Sequence, residues 1–120
     1  MEGIVSGMRE AFHAELANVT LAEAMNGLSD PLRLRIVTLL AINGEMECNQ
    51  IYDSLGISKS NASHHFRILR ECGLIRRLHS GQQQSARLRA DEFSARFPGL
   101  LEAVIDNQRS ATIDDVTLVD

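Results

Sequence analysis

The chain has 120 residues, 44% of them hydrophobic, which suits one domain with a modest core rather than two. Two cysteines do not make a disulfide framework, no leader segment is visible, and the longest apolar run, Ile36 to Ile42, is far too short for a bilayer. A cytoplasmic chain with reduced thiols and no membrane partner is therefore expected. A formal charge of −4 argues at first against a nucleic-acid partner.

Ile4, Met8, Phe12 and Leu16 recur at helical spacing and predict a helix from about Ile4 to Met25, ended by Asn26-Gly27. Its apolar stripe needs a surface to cover, on its own domain or on another chain. Leu28-Ser29-Asp30-Pro31 is a start signal, because Asp30 can cap a helix and Pro31 suits its first position. The helix that follows, to about Ile42, carries Leu32, Ile36, Leu39 and Leu40 on one side and stops at Asn43-Gly44. A short helix over Cys48 to Leu55 turns inward through Ile51 and Leu55. Gly56 allows a tight turn, Ser58 offers a cap, and a longer helix runs from Lys59 to about Cys72 before Gly73. Short helix, glycine turn and longer helix make a helix-turn-helix.

Leu74 to Leu78 and Gln84 to Arg89 read as two short strands around a turn at His79-Ser80-Gly81-Gln82, which is a wing. Asp91 looks like the cap of a short helical piece ending near Arg96. Pro98 starts a last helix whose stripe is Phe97, Leu100, Leu101, Val104 and Ile105. The segment after Arg109 has no clear pattern and is expected to be loose. The expected fold is mainly α with a small β-hairpin, one winged helix-turn-helix domain over 1–108 with a loose tail over 109–120.

The charge distribution reverses what the net charge suggests. Between Ser58 and Arg89 stand seven basic residues, Lys59, Arg67, Arg70, Arg76, Arg77, Arg87 and Arg89, against one acid, Glu71. Three of the four histidines fall there too. A basic segment in an acidic chain is the footprint of a polyanion site. On the longer helix, steps of about 100° per residue put Ala62, Phe66 and Leu69 toward the core. Ser60, Ser63, His64 and Arg67 fall on the opposite side, and His65 lies nearer the buried side. Lys59 and Asn61 lie at the helix start, the end that points into a major groove. Hydroxyl, imidazole and guanidinium groups there can donate to phosphates and base edges.

Three stretches carry a resemblance to the ArsR/SmtB family of winged-helix repressors: Leu28 to Ile36, Ile51 to Ser58 and Ala62 to Ile75. With the wing, the likeness covers about Leu28 to Arg89. The resemblance implies a homodimer held by the first helix (1–26) and the last (91–108), around a DNA-binding core over 28–89 with its wing over 74–89. The seam would fall on Met8, Phe12, Leu16, Leu100, Leu101, Val104 and Ile105. The resemblance also implies double-stranded DNA as partner, at an imperfect inverted repeat near a promoter, with repression relieved by an effector. Carried over by position, Lys59, Ser60, Asn61, Ser63, His64 and Arg67 meet DNA. In the wing, Arg76, Arg77, His79, Gln82, Gln83, Gln84 and Arg87 are the candidates for minor groove or backbone.

The family's usual metal sites look absent. Where one site type places two cysteines, this chain has Glu47-Cys48-Asn49, and the last helix carries acids but no histidine. His64 and His65 are neighbours on a helix and point apart, so they do not chelate together. No cofactor is expected, and the effector is read as a small molecule or an oxidant. Cys48, at a helix start, is the candidate redox thiol, and Cys72 reads as a buried helix-end residue. No catalytic constellation is visible. The competing reading is a winged-helix module for protein–protein contacts, against which the basic polar face counts.

Overall fold

The computed structural model describes residues 13–118. A 3₁₀ turn at Leu16–Asn18 leads into α1 (Leu21–Gly27), α2 (Pro31–Asn43), β1 (Met46–Glu47), α3 (Cys48–Leu55) and α4 (Lys59–Glu71). Then come β2 (Ile75–Ser80), β3 (Gln83–Leu88), α5 (Ala90–Arg96) and α6 (Leu100–Leu118). The three strands form one antiparallel sheet in the order β1-β3-β2.

Local signals explain most of these boundaries. Asp30 caps α2, its Oδ2 accepting from the N–H groups of Leu32 (2.9 Å) and Arg33 (3.1 Å). Gly44 ends α2 at φ +76. Gly56 makes the turn between α3 and α4 in the left-handed region, and Ser58 Oγ then accepts from Asn61 N–H at 3.1 Å. In the wing, Ser80 pairs with Gln83, which leaves a two-residue loop. The core gathers Phe66 and Leu69 of α4, Ile36 and Val37 of α2, Ile51 of α3, Ile75 of β2 and Phe93 of α5, all fully buried.

Four expectations are corrected. One helix from Ile4 to Met25 does not form. Thr20 and Glu23 make a reciprocal capping box, Thr20 Oγ1 accepting from Glu23 N–H (3.1 Å) and Glu23 Oε1 from Thr20 N–H (2.9 Å), so α1 starts afresh. Ile4, Met8 and Phe12 lie outside the described residues. The two-residue strand β1 was not expected, being too short to show a period. Asp91 sits in the first turn of α5 rather than at its cap, and α6 begins at Leu100 because Gly99 breaks the chain at φ +79. The backbone of α6 continues to Leu118, through most of the segment expected to be loose.

The chain before α1 is clasped to the winged unit. Arg89 is buried, 8% exposed, and donates to Ala14 O at 2.7 Å. Arg96 donates to Leu16 O (3.0 Å) and Val19 O (2.7 Å) while its guanidinium lies over the Phe97 ring. Leu16 packs directly on Gly73, where an added Cβ would meet Leu16 Cδ2 at 2.3 Å. Among the described residues, no helix is long and apolar enough to cross a membrane.

Candidate nucleic-acid interface

The amphipathic sequence of α4 buries Ala62, His65, Phe66 and Leu69 and turns its other side out. Lys59, Ser60, Asn61, Ser63, His64 and Arg67 are all exposed. Their mutual contacts are light: Ser63 Oγ donates to Lys59 O at 2.9 Å, and Arg67 Nη2 lies 3.4 Å from His64 Nδ1. The tip of the wing comes up beside this helix start. Lys59 and Gln82, Gln83 and Gln84 face one another across a cleft of about 200 Å³, floored by Cys48 and Tyr52. The geometry therefore brings the expected helix face and the glutamine-rich wing tip together.

Burial divides the wing candidates. His79, Gln82, Gln83 and Arg87 are exposed, whereas Arg76, Arg77 and Gln84 are half-buried. Arg77 turns inward: its guanidinium lies 4.9 Å from the Phe66 ring centroid and donates to Gln84 Oε1, and its backbone N–H donates to His13 Nε2 at 2.9 Å. Arg77 and Gln84 thus occupy each other beneath the wing. Arg76 points to the other face, opposite Arg87 across the hairpin, with Glu92 at 3.9 Å. Hydrogen bonding from Arg89, which outweighs the upward push of burial, and then the charges of Arg89, Arg76 and Arg87 hold the Glu92 carboxyl below its ordinary value. Of the seven basic residues counted in the sequence, Lys59, Arg67 and Arg87 are the fully exposed ones. Arg89 is a structural anchor rather than part of the footprint.

The thiols are both buried. Burial pushes the Cys48 thiol up, and the pull of Arg77 and Lys59 does not offset it. Burial pushes Cys72 up to about 11, and its Sγ fills the space above Gly27. Among the described residues, no group of three or more His, Cys, Asp or Glu side chains stands close enough to hold a metal ion. Of the expected seam residues, Leu16 and Leu101 are buried within their own chain, and Leu100, Val104 and Ile105 are half-buried. Met8 and Phe12 lie outside the described residues. Large apolar side chains that are exposed include Leu21 (53%) and Met25 (54%), one turn apart on α1.

Sequence reasoning missed one polar cluster behind the exposed face of α4. Arg33 of α2, 8% exposed, donates from Nε to Gly27 O (2.8 Å) and from Nη2 to Asn26 O (3.2 Å). Its Nη1 lies 3.3 Å from His65 Nδ1 on the inner side of α4. Nothing in the helical period of α2 marks Arg33 as a buried group. The signal that could have found it is His65 itself, a titratable side chain on a core-facing position that needs a polar neighbour.

The sequence profile of the bacterial regulatory proteins of the arsR family matches residues 30–77, from the cap of α2 into β2. The HTH-type transcriptional regulator YceK of Bacillus subtilis is 36% identical over 84 residues, covering 69% of this chain and 84% of YceK. The chain belongs to the arsR family. It is accordingly a DNA-binding transcriptional regulator and not an enzyme, and its fold is the winged helix-turn-helix. The HTH-type transcriptional regulator CmtR of Mycobacterium tuberculosis is 36% identical over 91 residues, 76% of this chain and 75% of CmtR. Among solved structures, the homodimeric winged helix-turn-helix DNA-binding domain from Mycobacterium bovis superposes with a TM-score of 0.61 at 26% identity, covering 76% of this chain and 82% of that one. The transcriptional repressor BigR from Xylella fastidiosa gives a TM-score of 0.55 at 27% identity, over 63% and 78% of the two chains.

Proposed function

We propose that this arsR-family regulator is a homodimeric repressor that binds an inverted-repeat operator in promoter DNA and is released by a non-metal effector. The observation that carries the reading is the exposed face of α4, with Lys59, Ser60, Asn61, Ser63, His64 and Arg67 at and after the helix start beside the wing tip, the acids near it being Glu71 at the far end of the helix and Glu47 in the cleft. In this reading α4 enters the major groove, where Arg67 and His64 reach base edges or phosphates. The wing lies along the backbone through His79, Gln82, Gln83 and Arg87, with Arg76 at its outer edge. Arg77 and Gln84 act by holding the wing against α4 rather than by touching DNA. The work is done in the cytoplasm, where promoter DNA is.

The dimer seam is assigned to Leu21 and Met25 on α1 together with Leu100, Val104 and Ile105 on α6, since Leu16 and Leu101 are spent within the protomer. The homodimeric Mycobacterium bovis domain supports a two-fold assembly, and BigR, a repressor, supports repression. Two recognition helices related by a two-fold axis read half-sites about 34 Å apart. In this reading the releasing signal is a small molecule or an oxidant. Cys48 has the better position of the two thiols, in the cleft between α4 and the wing, but burial keeps it protonated.

Fluorescence anisotropy tests the reading, with a duplex from upstream of the regulator's own gene against a scrambled duplex of equal length at near-physiological salt. Selective binding at least about a thousandfold tighter than to the scrambled duplex is expected. Absence of binding to either duplex, even at low salt, refutes it in favour of a protein-contact module.

A further inference from the structure

The orientation of α4 is set where it meets the first turn of α2. His65 is only 9% exposed. Its Nδ1 lies between Arg33 Nη1 at 3.3 Å and Asp30 Oδ2 at 3.7 Å. Arg33 stays charged at any pH a folded protein tolerates and can only donate. The Nδ1 that faces it must therefore be the accepting lone pair, with the ring proton on Nε2. Arg33 gives two further donors to the carbonyls of Asn26 and Gly27 at the end of α1. One buried guanidinium thus joins three helices: the end of α1, the start of α2 and the inner face of α4.

We propose that Arg33 and His65 are positioning residues for DNA recognition: their contact is a strut that fixes the tilt of α4 relative to α1, and it holds only while the His65 ring is neutral. The proposal rests on α4 being the recognition helix. When Nδ1 takes a proton it becomes a donor, loses its bond from Arg33 and faces a like charge. The Asp30 carboxylate, already at ion-pair distance from the same atom, becomes the better neighbour. The nitrogen exchanges one end of the first turn of α2 for the other, and α4 moves with the ring.

The charged and titratable groups facing His65 are Asp30 and Arg33 from α2 and His64 from α4 itself. Burial lowers the imidazole from its ordinary value; Asp30 pulls the other way, and Arg33 and His64 add to burial. The neutral strut is therefore the resting form near neutral pH. Acidification by itself strengthens the phosphate contacts of a histidine-bearing DNA face. The strut predicts the opposite sign.

The test measures anisotropy of the full chain on the duplex from upstream of its own gene and on the scrambled duplex, between about pH 7.5 and about pH 4.5, a window extended to the acid side because burial lowers the imidazole. Wild type is compared with His65→Gln, whose amide oxygen can still accept from Arg33 but does not titrate, and with Arg33→Met. The expected result is that wild type loses about tenfold in selective affinity on acidification relative to His65→Gln. At the higher pH, His65→Gln stays within about threefold of wild type while Arg33→Met loses selectivity. Identical pH profiles for wild type and His65→Gln overturn the proposal. Long-range ¹⁵N NMR of the wild-type rings is independent of the variants and of DNA. An unprotonated Nδ1 with protonated Nε2 on His65 supports the strut, and a protonated Nδ1 at neutral pH overturns it. If wild type does not prefer the upstream duplex at the higher pH, the DNA reading has failed, and the ring nitrogens still decide the strut.

Discussion

Arg67→Ala isolates the reading face from the fold. Arg67 is exposed, and its side-chain contact to His64 Nδ1, at 3.4 Å, is too long to hold it. Removing it should change stability by less than about 0.5 kcal/mol, as for other surface positions. A guanidinium bidentate to a guanine is worth about 1–3 kcal/mol of discrimination. A two-fold dimer presents Arg67 once to each half-site, and well-separated positions add, so the complex stands to lose about 2–6 kcal/mol. At 1.4 kcal/mol per decade the lower bound alone is more than about tenfold in Kd. Anisotropy titrations of wild type and variant on the upstream and scrambled duplexes at three salt concentrations separate the two roles open to the side chain. A base contact lowers affinity for the upstream duplex and relaxes its selectivity. A phosphate contact weakens both duplexes alike and reduces the salt slope by about one per side chain. Unchanged affinity for both duplexes, with an unchanged melting curve, refutes the claim that the outer face of α4 reads DNA.

Other outcomes follow from packing and charge. Met25→Glu puts a carboxylate on the exposed face of α1 and should convert a dimer to monomers in sedimentation while leaving the circular dichroism spectrum intact; a persisting dimer removes α1 from the seam. Gly73→Ala must move Leu16 and also strain a residue at φ +82, so thermal melting should show a loss of about 1–3 kcal/mol or more. Asp30→Ala removes the acceptor for two N–H groups and should cost about 1–2 kcal/mol, with Asp30→Asn recovering most of it. Stability should fall on acidification in two stages. His65 has a lowered pKa, so its contribution is complete above the ordinary 6.5 and is lost as pH falls through the folded value. Asp30 and Glu92, also lowered, contribute fully above their ordinary 3.8 and 4.5 and are lost as pH falls below those values. Urea midpoints that stay flat from neutral pH down to about pH 5 would contradict the buried neutral His65. Cys48→Ala should leave DNA binding in reductant unchanged, and oxidant-induced release that survives in this variant excludes Cys48 as the trigger.

The helix-turn-helix was legible because its punctuation is local. Asp30, Gly44, Gly56, Ser58 and Gly73 each act on their own turn, and α3 lies where the spacing of Ile51 and Leu55 puts it. The N-terminal helix was misjudged because a four-residue apolar recurrence was carried across Thr20, where the capping box with Glu23 starts α1 afresh. Arg76 and Arg77 were both assigned to the DNA side, yet neighbours on a strand face opposite ways, and only contact with Phe66 shows which one is inside. Leu101 belongs to an apolar stripe that serves either a core or a seam, and period alone does not divide the two. Arg33 and His65 lie far apart in sequence and become a pair only when α2 and α4 pack.

The smallest element of the fold bears on the DNA rather than on the protein. Because β1 pairs with β3 at Met46–Ala86 and Glu47–Ser85, the return strand of the wing is bonded to the residues that launch α3. Wing and α4 are therefore linked through α3 and the Gly56 turn, and on the proposed reading the span between them is expected to act as a ruler laid on the duplex. A half-site lengthened by one base pair between its groove-read and backbone-held portions is expected to bind less tightly. Spacer length should thus be as strict a determinant of operator identity as the bases themselves.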